Sequence, residues 1–130
     1  MNRPVILCVH DEPDIVNTLK MQLKQEFKDT YFYELAESGD EALELMEDFP
    51  EEDRVIVVVS DWLMPGIKGD ELLIRIHQKH PKVVKVMLTG QADAEAVQRA
   101  VNNADLYRCL YKPWKSKELI ETIRSGLAKL

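Results

Sequence analysis

Five apolar runs rich in β-branched and aromatic residues recur along the chain: VILCV (5–9), YFYELA (31–36), VIVVV (55–59), VVKVML (83–88) and LYRCLY (106–111). After each of them the period of the apolar positions lengthens to that of a helix. The first helical segment opens near Pro13, a residue suited to the first helical position, and puts Ile15, Leu19, Leu23 and Phe27 on one face. The second opens with SGDE, where Ser38 and Glu41 have the spacing of a capping box, and turns Ala42, Leu45, Met46 and Phe49 inward. A third covers GDELLIRIHQKH with Leu72, Leu73 and Ile76 buried, and stops before Pro81. The fourth, ADAEAVQRAVNN, is alanine-rich with a weak apolar face, and the fifth runs from a cap at Ser116 through Leu119, Ile123 and Leu127. Strands therefore alternate with helices along the whole chain.

Continuous apolar strands separated by helices predict an α/β fold in which a parallel sheet is covered on both faces. Runs 55–59 and 83–88 are apolar enough to be central, whereas 31–36 and 106–111 carry the polar and aromatic residues of edges. A chain of 130 residues, 45% hydrophobic, buries one core, so a single domain over 1–130 is expected, with no output domain in the chain. No apolar run reaches membrane-spanning length, and the apolar stretch near the N-terminus is too short for a signal peptide, which predicts a cytoplasmic protein without a membrane partner. A net charge of -6 argues against direct nucleic-acid binding. Cys8 and Cys109 have no metal-ligand spacing and read as small buried hydrophobes.

Ligands of open parallel sheets bind outside the carboxyl ends of the strands. Those ends carry His10-Asp11-Glu12, Ala36-Glu37, Ser60-Asp61, Thr89-Gly90 and Lys112-Pro113. Two or more carboxylates, a hydroxyl and a lysine on one rim suit chemistry on a phosphoryl group: carboxylates hold a hard divalent cation, while that cation and a lysine neutralise phosphoryl oxygens. An aspartate can itself be the nucleophile and form an acyl phosphate. His77 and His80 have a ligand-like spacing, but a solvent-facing pair away from the rim is the simpler reading. Trp62 and Trp114 each stand close to a rim residue and serve as optical probes.

The segments ILCVHDEP, VVVSDWLMPGIKGDELL, VKVMLTG and LYKPW, in this order, resemble the signature segments of response-regulator receiver domains, the phospho-aspartate switches of two-component signalling in bacteria. The resemblance covers essentially the whole chain. It implies a flavodoxin-like (βα)5 fold, doubly wound, with a five-stranded parallel sheet in the order 2-1-3-4-5. That order puts three strand spacings, roughly 14 Å, between Cys8 and Cys109, too far for a disulfide. By the same resemblance Asp61 is the phosphoacceptor, Asp11 and the backbone carbonyl of Leu63 join it in binding Mg²⁺, with Mn²⁺ an alternative, Thr89 is the switch hydroxyl and Lys112 its charged companion. Pro113 matches a proline often preceded by a cis peptide bond.

Two positions depart from the family pattern. His10 stands where a second acidic residue is usual and would act on the metal from its outer shell, and Cys109 stands where an aromatic switch residue is common. The implied function is a signalling module rather than an enzyme. Its phosphodonor is a histidine kinase or phosphotransfer protein, its effector binds the fourth helix, fifth strand and fifth helix, and a homodimer is compatible. The main alternative is a degenerate receiver that scaffolds without phosphorylation. A haloacid-dehalogenase-like phosphatase would need an aspartate where Leu63 stands, and a flavodoxin would need a phosphate loop where HDEPD stands.

Overall fold

Five strands pair in parallel in the order β2-β1-β3-β4-β5. They are β1 Val5–Val9, β2 Phe32–Ala36, β3 Val55–Asp61, β4 Val84–Thr89 and β5 Arg108–Tyr111. The computed structural model describes residues 3–48, 54–90 and 94–130. Its helices are α1 Pro13–Phe27, α2 Gly39–Asp48, α3 Gly69–Lys79, α4 Ala94–Ala104 and α5 Ser116–Leu127. The doubly wound architecture and the strand order are those the sequence led us to expect.

Burial on both faces explains why the strands read as unbroken apolar runs. In β1, Val5, Leu7 and Val9 face a core shared with α2, α3 and α4, while Ile6 and Cys8 face a second core under α1 and α5. In β3 the alternation slips. Val5 pairs with Val55 but Ile6 with Val57, so Ile56 and Val57 both pack on the α1–α5 side. One extra residue is taken up there, as in a β-bulge. Cys8 and Cys109 are free thiols on strands separated by β3 and β4.

The helix ends correct several local expectations. α5 starts at Ser116 itself, because Lys115 already holds the extended backbone of an N-cap (φ -93°, ψ 147°), and no side chain caps it. At α2 only half of the capping box forms as expected. Ser38 Oγ accepts the Glu41 N–H at 3.1 Å, but the Glu41 carboxylate reaches back to the Glu37 N–H, at 3.5 Å, rather than to Ser38. In α1, Val16 is fully buried, whereas Ile15 and Phe27 are half-buried at its ends. Phe49, Ala92 and Asp93 lie outside the described residues. His77 and His80 are half-buried rather than solvent-facing, and His77 Nδ1 has no hydrogen-bond partner.

Candidate functional site

The strand order reverses between β1 and β3, the place where open parallel sheets form their binding crevice. β1 stops at Val9, and His10, Asp11 and Glu12 lead into the first turn of α1. β3 runs one residue past Ser60, so that Asp61 is its last residue and is only 3% exposed. β5 ends at Tyr111, which delivers Lys112 to the same rim.

These side chains meet. Lys112 Nζ lies 3.1 Å from Asp61 Oδ1, and His10 Nε2 lies 3.6 Å from Asp61 Oδ2. His10 Nε2 and Lys112 Nζ are 3.2 Å apart. The other ring nitrogen, Nδ1, accepts the Glu12 N–H at 3.1 Å and stands 3.4 Å from Asp11 Oδ1. An isolated buried carboxylate is costly, and Lys112 supplies the opposite charge beside Asp61. His10 is buried among these groups, and burial, its largest influence, holds its pKa below the ordinary histidine value against the pull of Asp61.

The remaining predicted residues fall around this centre. Thr89 ends β4, buried, and its carbonyl accepts the Lys112 N–H at 2.8 Å. Leu63 is two residues past Asp61, with its side chain exposed. Cys109 is half-buried in β5, opposite Met87 on β4, and burial raises its thiol pKa. The Lys112–Pro113 bond is cis. Gly66 takes φ +78°, as the turn after Pro65 requires.

A second set of contacts was not visible in the sequence. Trp62 donates its indole N–H to Asp70 Oδ1 at 3.1 Å, and Arg99 of α4 grips Asp70 Oδ2 at 3.0 Å and Glu71 Oε1 at 2.6 Å. Asp70 reads as an ordinary first-turn acid of α3, and Arg99 as a solvated arginine far away in the chain. No local signal joins them.

Ligand atoms of His10, Asp11 and Asp61 all lie within 4.8 Å of one another, close enough for one ion to join them. Two carboxylates brought together from different strand ends are the hard oxygen donors that Mg²⁺ and Mn²⁺ take, so the residues fit.

The chain belongs to the response regulator receiver domain family, whose match spans residues 6–124. It is 32% identical over 122 residues to the hydrogenase transcriptional regulatory protein HoxA of Cupriavidus necator, covering 94% of this chain and 24% of HoxA. It is 33% identical over 124 residues to the heme response regulator HssR of Staphylococcus aureus, covering 95% of this chain and 51% of HssR. The chain thus spans between a quarter and about half of these curated relatives. Among solved structures, the signal receiver domain of an HD domain-containing protein from Pseudomonas fluorescens superposes with a TM-score of 0.88 at 32% identity, covering 98% of this chain and 97% of that one. A CheY-like receiver domain protein from Methanospirillum hungatei gives 0.87 at 26% identity, covering 98% and 96%. Among the described residues no helix is long and apolar enough to cross a membrane.

Proposed function

We propose that this receiver domain is a phospho-aspartate switch, working in the cytoplasm and charged by a histidine kinase or a phosphotransfer protein. The observation that carries the reading is the buried Asp61 carboxylate, with Lys112 Nζ 3.1 Å from one oxygen and Asp11 in the same cluster. An Asp61 oxygen attacks the phosphorus of the donor phosphohistidine. The new P–O bond forms as the P–N bond breaks, and the imidazole leaves with the electron pair and takes up a proton. Asp11, Asp61 and the Leu63 carbonyl would hold Mg²⁺ or Mn²⁺, with His10 outside the first ring of ligands. When bound, the cation neutralises charge on the phosphoryl oxygens in transfer. Lys112 balances the charge that the acyl phosphate adds, and the Thr89 hydroxyl donates to a phosphoryl oxygen. α4, β5 and α5 carry the change to an effector protein or domain.

Intact mass spectrometry after incubation with acetyl phosphate and Mg²⁺ tests this reading. Wild type gains one hydrolysable phosphoryl adduct per chain, and Asp61→Asn gains none. An adduct that persists in Asp61→Asn sinks the assignment. A wild type that never reacts favours a receiver that scaffolds without phosphorylation, the reading for which His10 in an acidic position speaks.

His10 also sets the metal affinity in this scheme. Replacing it by aspartate adds a negative charge and an oxygen acceptor beside Asp11 and Asp61. Groups just outside the metal's ligands typically change affinity about 10–100-fold, and His10→Asp should tighten Mg²⁺ binding by that order. A Mg²⁺ titration followed by tryptophan fluorescence measures it, and equal affinities would make His10 a bystander.

A further inference from the structure

We propose that Arg99, Asp70 and Trp62 form a latch that ties the position of α4 to the state of Asp61 and opposes phosphorylation while it is closed. The inference rests on the phosphoacceptor reading and adds to it a regulatory contact on another element.

Trp62 is the residue after Asp61, and its main chain is held on both sides. Its N–H donates to the Leu88 carbonyl and its carbonyl accepts the Gly69 N–H, both at 2.8 Å. The start of α3 is pressed onto the acceptor peptide. A Cβ at Gly69 would stand 2.3 Å from the Asp61 carbonyl oxygen and 2.8 Å from Trp62 Cα, so only glycine fits. The Trp62 backbone and the start of α3 are therefore tied closely to Asp61.

The side chain of Trp62 extends this rigid unit outward. Its indole N–H occupies Asp70 Oδ1, and Arg99 occupies Oδ2 of the same carboxylate, itself only 8% exposed. Arg99 also holds Glu71, whose second oxygen binds Arg75 Nε at 3.0 Å, so the guanidinium grips the first turn of α3 at two points. Asp70 is therefore the joint between the acceptor and α4.

The α4 side of the joint is smooth. The buried side chains of α4 are Ala96, Ala100 and Ala104, with Val97 half-buried against the same core. Methyl groups interlock weakly with a neighbouring helix, so the Arg99 fork adds register to that packing. α4 follows Thr89 in the chain after a short connection, and β5 follows α4 and leads to Lys112. In the arrangement seen, Lys112 pairs with the bare Asp61 carboxylate. A contact that stabilises this arrangement must be loosened if α4 shifts when the acceptor is loaded, and coupling of this kind is reciprocal. Removing the latch therefore frees α4 and makes the acceptor easier to load.

The test uses Arg99→Ala in a Trp114→Phe background, where Trp62 is the only tryptophan. Beryllium fluoride with Mg²⁺ serves as the phosphoryl probe, read by Trp62 fluorescence for affinity and by amide exchange over residues 94–104 for α4. Arg99→Ala should bind the probe about fivefold or more tightly, the lower range of ordinary allosteric coupling. Its α4 amides should exchange fast without the probe and respond little to it. Asp70→Asn, which keeps an oxygen for the indole but lowers the charge facing Arg99, should move in the same direction. A merely structural ion pair would alter thermal stability and leave both responses to the probe unchanged. Binding within twofold of the parent together with an intact α4 response, or weaker binding, overturns the latch alone. Failure of the parent to bind the probe overturns the phosphoacceptor reading, and the latch with it.

Discussion

α4 and α5 flank β5 in the chain and cover opposite faces of the sheet, yet they are held by different forces. α5 buries Leu119, Ile120 and Ile123 in the core it shares with α1. It also brings Gly126 so near the sheet that a Cβ there would meet Val84 Cγ1 at 2.8 Å. α4 buries three alanines with Val97 half-buried beside them, and the Arg99 fork on Asp70 and Glu71 ties it to the start of α3. Each fully buried leucine or isoleucine contributes roughly 1.5–3 kcal/mol, whereas a methyl group contributes about 0.8. The helix fixed by apolar burial cannot shift without opening a cavity. A helix that buries only small side chains and is tied by a polar fork gives up less apolar burial when it shifts, and α4 is the one that follows Thr89.

The largest effect expected from this contrast comes from α5. Ile123→Ala removes a fully buried side chain from a core lined by β1, β3, β4, α1 and α5, and should cost about 2–5 kcal/mol in urea denaturation. A loss below about 1 kcal/mol would mean that α5 adapts as readily as α4, which would erase the contrast.

A smaller effect is expected from the opposite change in α4. Ala100 is fully sealed against α3 and the sheet, so Ala100→Leu must push α4 outward. Overpacking of this kind costs about 1–3 kcal/mol. The displaced helix should also lose the Arg99 fork, visible as a change in Trp62 fluorescence because the indole shares Asp70 with Arg99. An unchanged spectrum would show that Trp62 does not sense α4.

How much of this was legible in the sequence depends on the reach of each signal. The strands were legible because strands buried on both faces read as continuous apolar runs, whereas their order came from the resemblance to receiver domains. The rim was legible for a related reason: Asp11, Asp61, Thr89 and Lys112 each follow or end a strand, and parallel strands bring those ends together. What lay beyond was non-local or broke a pattern. The joint at Asp70 links α3 to α4 across 29 residues, and neither partner is unusual for its position. Lys85 interrupts VVKVML like a polar break, yet it is 1% exposed, with Nζ donating to the Val83 carbonyl at 2.6 Å and burial holding its pKa below the usual lysine value. Periodicity sees the lysine and not the carbonyl that receives it. The bulge at Val55–Val57 escaped for the same reason, since three valines and isoleucines in succession look alike on either face. For His10 the sequence left open whether the ring faces the site. The fold decides, because the Glu12 N–H at the turn into α1 catches Nδ1 and leaves Nε2 turned to Asp61.

The smallest expected effect bears on the contrast most directly. Ala100→Gly deletes one buried methyl and puts glycine in the interior of α4. Glycine costs roughly 0.8–1.0 kcal/mol relative to alanine at such a position. The lost methyl adds about 0.8 kcal/mol, and because the neighbours of Ala100 can close over a gap this small no cavity cost is added, so the total should stay below about 2 kcal/mol. The distribution of that loss matters more than its size. If α4 can open on its own, its amides should exchange faster while those of β3 and α5 keep their protection, a local opening below the global one. Ile123→Ala should instead speed the slowest amides everywhere by the same factor, because α5 leaves the core only when the whole domain unfolds. If hydrogen exchange in Ala100→Gly accelerates uniformly across the sheet, α4 unfolds with the rest of the domain. The two helices would then differ in the chemistry of their contacts and not in their freedom to move.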